Sequence, residues 1–206
     1  MITLVNYGLG NIQALVNIYK RLDIPVVVAD DAGRLGQAEK IILPGVGAFD
    51  WAMTRLNASG MRACLDDLVM ARKRPVLGIC VGMQMMARRS DEGELPGLGW
   101  IDAEVKRFDE AGFTQKTHLP HMGWNDVVPK RVECLFNGME APQFYFLHSY
   151  YFQPHNPEEV LAVTDYNGPF ASAVRSGNVF GAQFHPEKSH HWGIRLLKNF
   201  AEMAGN

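Results

Sequence analysis

Cys80 lies inside Gly78-Ile79-Cys80-Val81-Gly82, immediately after the apolar pair Val76-Leu77. A nucleophile on a tight turn from strand to helix needs small residues two before and two after it. A Cβ at either position would strike the neighbouring strand or helix. The spacing therefore predicts a nucleophilic thiol at the end of a strand. Met83 to Arg89 predicts the helix that follows, with its N-terminus favouring thiolate. The same residues also suit a buried structural cysteine, because a free cysteine packs as a small hydrophobe. Cys64 and Cys134 lack such a frame and read as packing residues.

A reactive thiol needs a base, and the base needs a group to orient it. His185 follows the strand-like Val179-Phe-Gly-Ala-Gln-Phe184 and precedes Pro186, which ends pairing there. Glu187, two residues on, is spaced to accept from the ring and stabilise its charged form. A surface loop of charged residues is the alternative reading. His190-His191 invites a metal reading, but adjacent side chains point apart and no ligand cluster surrounds them, so no metal is expected.

Acyl transfer also needs donors for an oxyanion. Pro44-Gly45-Val46-Gly47 follows a strand, and its glycines let a backbone N–H near Val46 turn inward. With the N–H of Val81 that would make a two-donor hole, open only once the loop has rotated. An ordinary Pro-Gly turn is the competing account. Gly8-Leu9-Gly10 resembles a dinucleotide loop only in part, since the third glycine is missing.

The elements around these residues alternate. Ile2 to Val5, Pro25 to Ala29, Ile41 to Leu43 (stopped by Pro44-Gly45) and Val76 to Ile79 read as buried strands. Helical spacing falls between them, from Asn11 to Leu22 and around Leu65, Leu68 and Val69. Continuously apolar strands separated by helices predict βαβ units and a mostly parallel sheet with helices on both faces. From Gly99 onward the strands are short and joined by polar turns: Gly99 to Phe108, Gly123 to Val128, Phe144 to Leu147, Val160 to Thr164, Ala171 to Arg175 and Val179 to Phe184. They predict antiparallel additions to that sheet, closed by a helix from about Trp192. The expected fold is one α/β domain over residues 1–206.

Composition agrees with that class. The chain has 206 residues, 47% of them apolar, with 20 Lys+Arg against 22 Asp+Glu, so no basic field invites nucleic acid. No apolar run approaches the ~18 residues of a membrane span. Three widely spaced cysteines and a start without a cationic leader predict a cytoplasmic, reducing setting.

Pro44-Gly-Val-Gly47, Gly78-Ile-Cys-Val-Gly-Met-Gln84 and His185-Pro-Glu-Lys-Ser189 together resemble the triad class of glutamine amidotransferases. More narrowly, Asn6-Tyr-Gly-Leu-Gly-Asn11, Pro120-His-Met-Gly-Trp-Asn125 and His148-Ser-Tyr-Tyr151 resemble the HisH-type glutaminase subunits of imidazole glycerol phosphate synthase. The resemblance runs in order over essentially the whole chain. It implies that Cys80 attacks the amide of glutamine, that His185 protonates the departing ammonia, and that Glu187 holds His185. Water then hydrolyses the thioester. It further implies that Gln84 and the backbone at Gly45, Gly47, Ser149 and Tyr150 hold glutamine. Asn11, Trp124 and Lys188 would face a barrel-shaped, HisF-type cyclase in a heterodimer that receives the ammonia. No cofactor is implied.

Asn6 and Val81 stand where such proteins usually carry Asp and Leu, and Asn17 to Leu22 and His190-His191-Trp192 also depart from the histidine-pathway pattern. A branch of HisH-like proteins feeds ammonia to amidine formation on nucleotide-linked sugars, which is the alternative acceptor. A non-catalytic regulatory subunit is the alternative of another class.

Overall fold

The structure, a computed structural model, describes residues 1–113, 118–131 and 134–203. Four of its strands are the expected apolar runs: β1 (Ile2–Val5), β2 (Val26–Ala29), β3 (Lys40–Gly45) and β4 (Val76–Cys80). The later strands are β5 (Arg89–Ser90), β6 (Ala103–Arg107), β7 (His121–Asp126), β8 (Val128–Pro129), β9 (Gln143–His148), β10 (Tyr150–Pro154), β11 (Val160–Asp165), β12 (Pro169–Ser176) and β13 (Val179–Ala182). The helices are α1 (Ile12–Arg21), α2 (Ala32–Leu35), α3 (Phe49–Ala58), α4 (Arg62–Asp66), α5 (Val81–Gln84) and α6 (His190–Glu202).

The strands β2-β1-β3-β4-β13 are parallel, and β12, β10 and β6 extend them antiparallel. β3 and β4 are buried on both faces, whereas β2 at the edge alternates. This is the predicted single-domain α/β fold with a mostly parallel sheet. In such a sheet the loops at the carboxyl ends of the strands form the ligand crevice. Here the carboxyl ends of β1, β3, β4 and β13 bring the Gly8–Asn11 loop, Gly45–Gly47, Cys80 and His185 to one edge.

Several expectations are corrected. Pro44 lies inside β3 rather than ending it, in register with Ile79. Its carbonyl faces the β1 side, where it accepts from the Tyr7 hydroxyl at 2.7 Å. Pairing with β1 has already ended at Ile42, so the missing N–H costs no ladder bond. The helix expected from Met83 to Arg89 is the single turn α5, after which the chain enters β5. The macrodipole behind Cys80 is thus that of one turn. β7 and β9 do not join the main sheet; they form a separate two-stranded one. α6 begins at His190 rather than Trp192, and α3, with Phe49, Ala52, Met53 and Leu56 buried, was not anticipated.

Candidate active site

Cys80 ends β4 with φ +54° and ψ −115°, a backbone conformation that side chains rarely adopt. It turns the chain abruptly from strand into α5. The flanking glycines make room as their spacing predicts. A methyl on Gly78 would lie 2.7 Å from the Gly82 oxygen, and one on Gly82 would overlap the Leu43 carbonyl. The second obstacle is backbone and cannot swing aside. Gly82→Ala should therefore cost about 3 kcal/mol of stability, the upper end for overpacking, read as a lowered denaturant midpoint at unchanged slope.

His185 is reached three residues beyond β13, where its N–H donates to Tyr145 O at 2.8 Å and anchors it to β9. Pro186 opens a short turn, Pro186–Lys188, that brings the Glu187 side chain back to the ring. Glu187 Oε1 lies 2.9 Å from His185 Nδ1 and accepts from it. Both side chains are almost wholly buried, at 4% and 3% exposure. Ser189 Oγ locks the turn by donating to His185 O and accepting from the Tyr145 N–H.

Burial works to lower the His185 pKa. Hydrogen bonds with Cys80 and Glu187, and their charges, outweigh it and raise the value from 6.5 to about 10. The ring therefore stays protonated across neutral pH, poised to give a proton. Gln183 Nε2 approaches Cys80 Sγ at 3.8 Å, and Leu147 O lies 4.0 Å from the sulfur.

These groups open onto a cleft of about 340 Å³. Val46, Gly47, Cys80, Val81, Gln84, Ser149, Tyr150, His185 and Lys188 all line it. Gly45 and Asn11 instead border a small crevice behind it, against His185 and Glu187. Gly45 is in register with Cys80 across β3 and β4, so the loop that follows starts beside the sulfur. Trp124 stands outside the cleft and is exposed on β7, its ring stacked on His190. The outward residues of β7 and β9 pair there: Met122 opposite Leu147, and Trp124 opposite Tyr145.

The cleft contains groups that sequence reasoning missed. Glu92, from the loop after β5, lines it while Oε2 accepts from the Phe49 N–H at 2.9 Å. Burial raises the Glu92 pKa, opposed by that hydrogen bond and assisted by Asp50. His148 lines it too, and Gln183 lies beneath it. Glu92 had no local signal in Ser-Asp-Glu-Gly-Glu-Leu. Gln183 sits two before His185, a spacing that puts both on one face of an extended segment.

The decoys resolve differently. His190 stacks on Trp124 and His191 packs on Trp192, so the adjacent rings diverge. Among the described residues no group of three His, Cys, Asp or Glu is arranged to hold a metal ion. Cys64 and Cys134 are partly buried against the core, as read. No helix among the described residues is long and apolar enough to cross a membrane.

A cysteine beside a charged, carboxylate-held histidine, at the carboxyl edge of a parallel sheet, has the construction of a cysteine acyl-transfer enzyme. The model of the glutamine amidotransferase class-I family matches residues 3–204. The chain belongs to the class I glutamine amidotransferases. It is 58% identical to imidazole glycerol phosphate synthase subunit HisH of Bdellovibrio bacteriovorus, over 98% of this chain and all of that one. It is 47% identical to the HisH subunit of Leptospira interrogans over the same shares. Among solved structures, a glutamine amidotransferase superposes with TM-score 0.75 at 20% identity, covering 98% of this chain and 99% of that one. PurLQS from Thermotoga maritima gives 0.65 at 20% identity, over 97% and 96%.

Proposed function

We propose that this chain is the glutaminase subunit of an imidazole glycerol phosphate synthase, and that Cys80, His185 and Glu187 carry its chemistry. The observation that carries the reading is the buried His185–Glu187 hydrogen bond, set with Cys80 along a cleft of about 340 Å³. Cys80 Sγ adds as thiolate to the side-chain amide carbon of glutamine. The oxyanion is received by backbone N–H groups at Val46 and Val81. His185 gives its proton to the departing nitrogen, which leaves as ammonia. Water then adds to the thioester with His185 as base, and glutamate and the free thiol result.

Binding divides between two ends of the substrate. The Glu92 carboxylate suits the α-ammonium group. Gln84 Nε2 is committed to Tyr150 O and Gln183 Oε1, which leaves its oxygen for a substrate N–H. The backbone at Gly45, Gly47, Ser149 and Tyr150 frames the rest.

The ammonia passes to a HisF-type cyclase bound over the cleft mouth. The exposed apolar side chains Val46, Met122, Trp124 and Leu147 gather beside it, with Lys188 over the Tyr145 ring and Asn11 at the crevice. Large apolar groups ringed by polar ones are the usual core of a docking face. A cytoplasmic setting accords with three free thiols.

Glutamate release, measured alone and with the cyclase plus its nucleotide substrate, tests this reading. We expect slow hydrolysis alone and stimulation of roughly 10²–10³-fold in the complex, the scale of one oxyanion donor. Stimulation only by an amino-sugar amidotransferase would move the acceptor; no glutamine hydrolysis with either would refute the chemistry.

A further inference from the structure

Two buried histidines, His121 on β7 and His148 at the end of β9, take no part in the chemistry above, yet their rings meet. His121 Nδ1 and His148 Nε2 are 3.0 Å apart. Their proton positions follow from the neighbours. Tyr150 O can only accept, so at 2.7 Å it requires a proton on His148 Nδ1. In the neutral ring Nε2 is then a bare acceptor, which requires a proton on His121 Nδ1. His121 Nε2 is in turn an acceptor and faces Asn125 Nδ2 at 3.3 Å. The Asn125 amide is oriented independently: its oxygen accepts from the Asp126 N–H and its nitrogen donates to Asp165 O. Protonating either ring would set two N–H groups against each other. Burial keeps both neutral, with pKa lowered to about 4 for His121 and about 3 for His148, the latter also opposed by His121 and His185.

The chain of bonds continues to the sulfur. Tyr150 O also accepts from Gln84 Nε2 at 3.1 Å, Gln84 Nε2 donates to Gln183 Oε1 at 3.0 Å, and Gln183 Nε2 points at Cys80 Sγ. Donation thus runs from β7 to Tyr150 O, which accepts from both sides, and starts again at Gln84 Nε2 to run through Gln183 to the sulfur at the floor of the cleft. The His121 ring is further clamped between Tyr166 and Phe146, with centroids 4.0 and 4.7 Å away.

We propose that the His121–His148 pair is a positioning relay for substrate: it fixes the Tyr150 carbonyl, and through it the Gln84 and Gln183 amides that meet glutamine and Cys80. This rests on the glutaminase reading above. Neither histidine touches the reacting atoms, and the relay acts through groups that do.

His121→Phe keeps the stacked ring and removes the donor, leaving His148 Nε2 a buried acceptor without a partner. Glutamine kinetics of the variant in the cyclase complex should give KM raised about tenfold with kcat within about threefold, and unchanged synthesis from ammonium salt. ¹⁵N-histidine NMR of the wild-type chain should find both rings neutral at pH 7 with the proton on Nδ1. An unchanged KM, or a loss confined to kcat, overturns the positioning role. A proton on Nε2 of His148 overturns it independently, whatever the variant does. A wild-type complex that hydrolyses no glutamine would sink the functional reading, and the proton positions would then judge the relay.

Discussion

Cys80→Ser is expected to leave a folded subunit whose glutaminase rate has fallen by roughly 10⁴-fold or more, while its complex with the cyclase still makes product from ammonium salt. The size of the loss follows from the protonation of His185. In the proposed mechanism the sulfur attacks as thiolate beside a charged His185 ring, so no proton needs a new home at the moment of attack. A serine hydroxyl keeps its proton at neutral pH and is a weaker nucleophile than a thiolate, so its attack requires His185 to take that proton at the same moment. The substitution is nearly isosteric and Cys80 is only weakly held by Gln183 and Leu147, so the fold has little reason to respond. Parallel assays with glutamine and with ammonium salt check this. Loss of both activities would mean that Cys80 supports the complex rather than the hydrolysis.

Glu187→Gln carries the second largest effect, a fall in kcat of about 10³–10⁴-fold, by analogy with removal of charge from the orienting carboxylate of a serine triad. The substituted oxygen can still accept from His185 Nδ1, but the new amide nitrogen would occupy the site of Oε2, which is buried and has no hydrogen-bond partner among the described residues. The variant therefore loses the charge and gains an unsatisfied donor. The pH dependence changes in a defined sense. Glu187 is one of the groups that raise the His185 pKa to about 10, so its removal lets burial pull the value down. In the wild type His185⁺ contributes stability fully below its unfolded pKa of 6.5, and this contribution fades as pH rises through about 10. In the variant both that fading and the basic limb of kcat/KM should begin at lower pH. An unshifted limb would mean that the carboxylate does not govern the ring.

What could be read in the sequence was local, and what could not was built from long-range meetings. The Gly78-Cys80-Gly82 frame encodes its own geometry, because the clash that each glycine avoids lies within a few residues or on the adjacent strand. His185-Pro-Glu187 is likewise self-contained: one turn closes the hydrogen bond. The helix after Cys80 was overestimated because Met83, Met85 and Met86 are buried and apolar, yet belong to one turn and a bend rather than to a longer helix. The side sheet of β7 and β9 was missed because alternation predicts a strand without naming its partner. Glu92 and the paired histidines owe their roles to neighbours that are distant in the chain, such as Phe49 and Glu92, which stand 43 positions apart. No residue spacing in the sequence carries such information.

The backbone at Cys80 has a bearing on how such a chain would drift if released from selection. Its φ of +54° with ψ of −115° is comfortable for glycine and costs an L side chain on the order of 1–3 kcal/mol. A lineage that kept this subunit only as a scaffold would gain stability by replacing Cys80 with glycine, and random substitution would offer that change readily. A cysteine retained at that angle works against the equilibrium of its own fold. The elbow thus sets a stability cost on the very residue that the proposed chemistry requires.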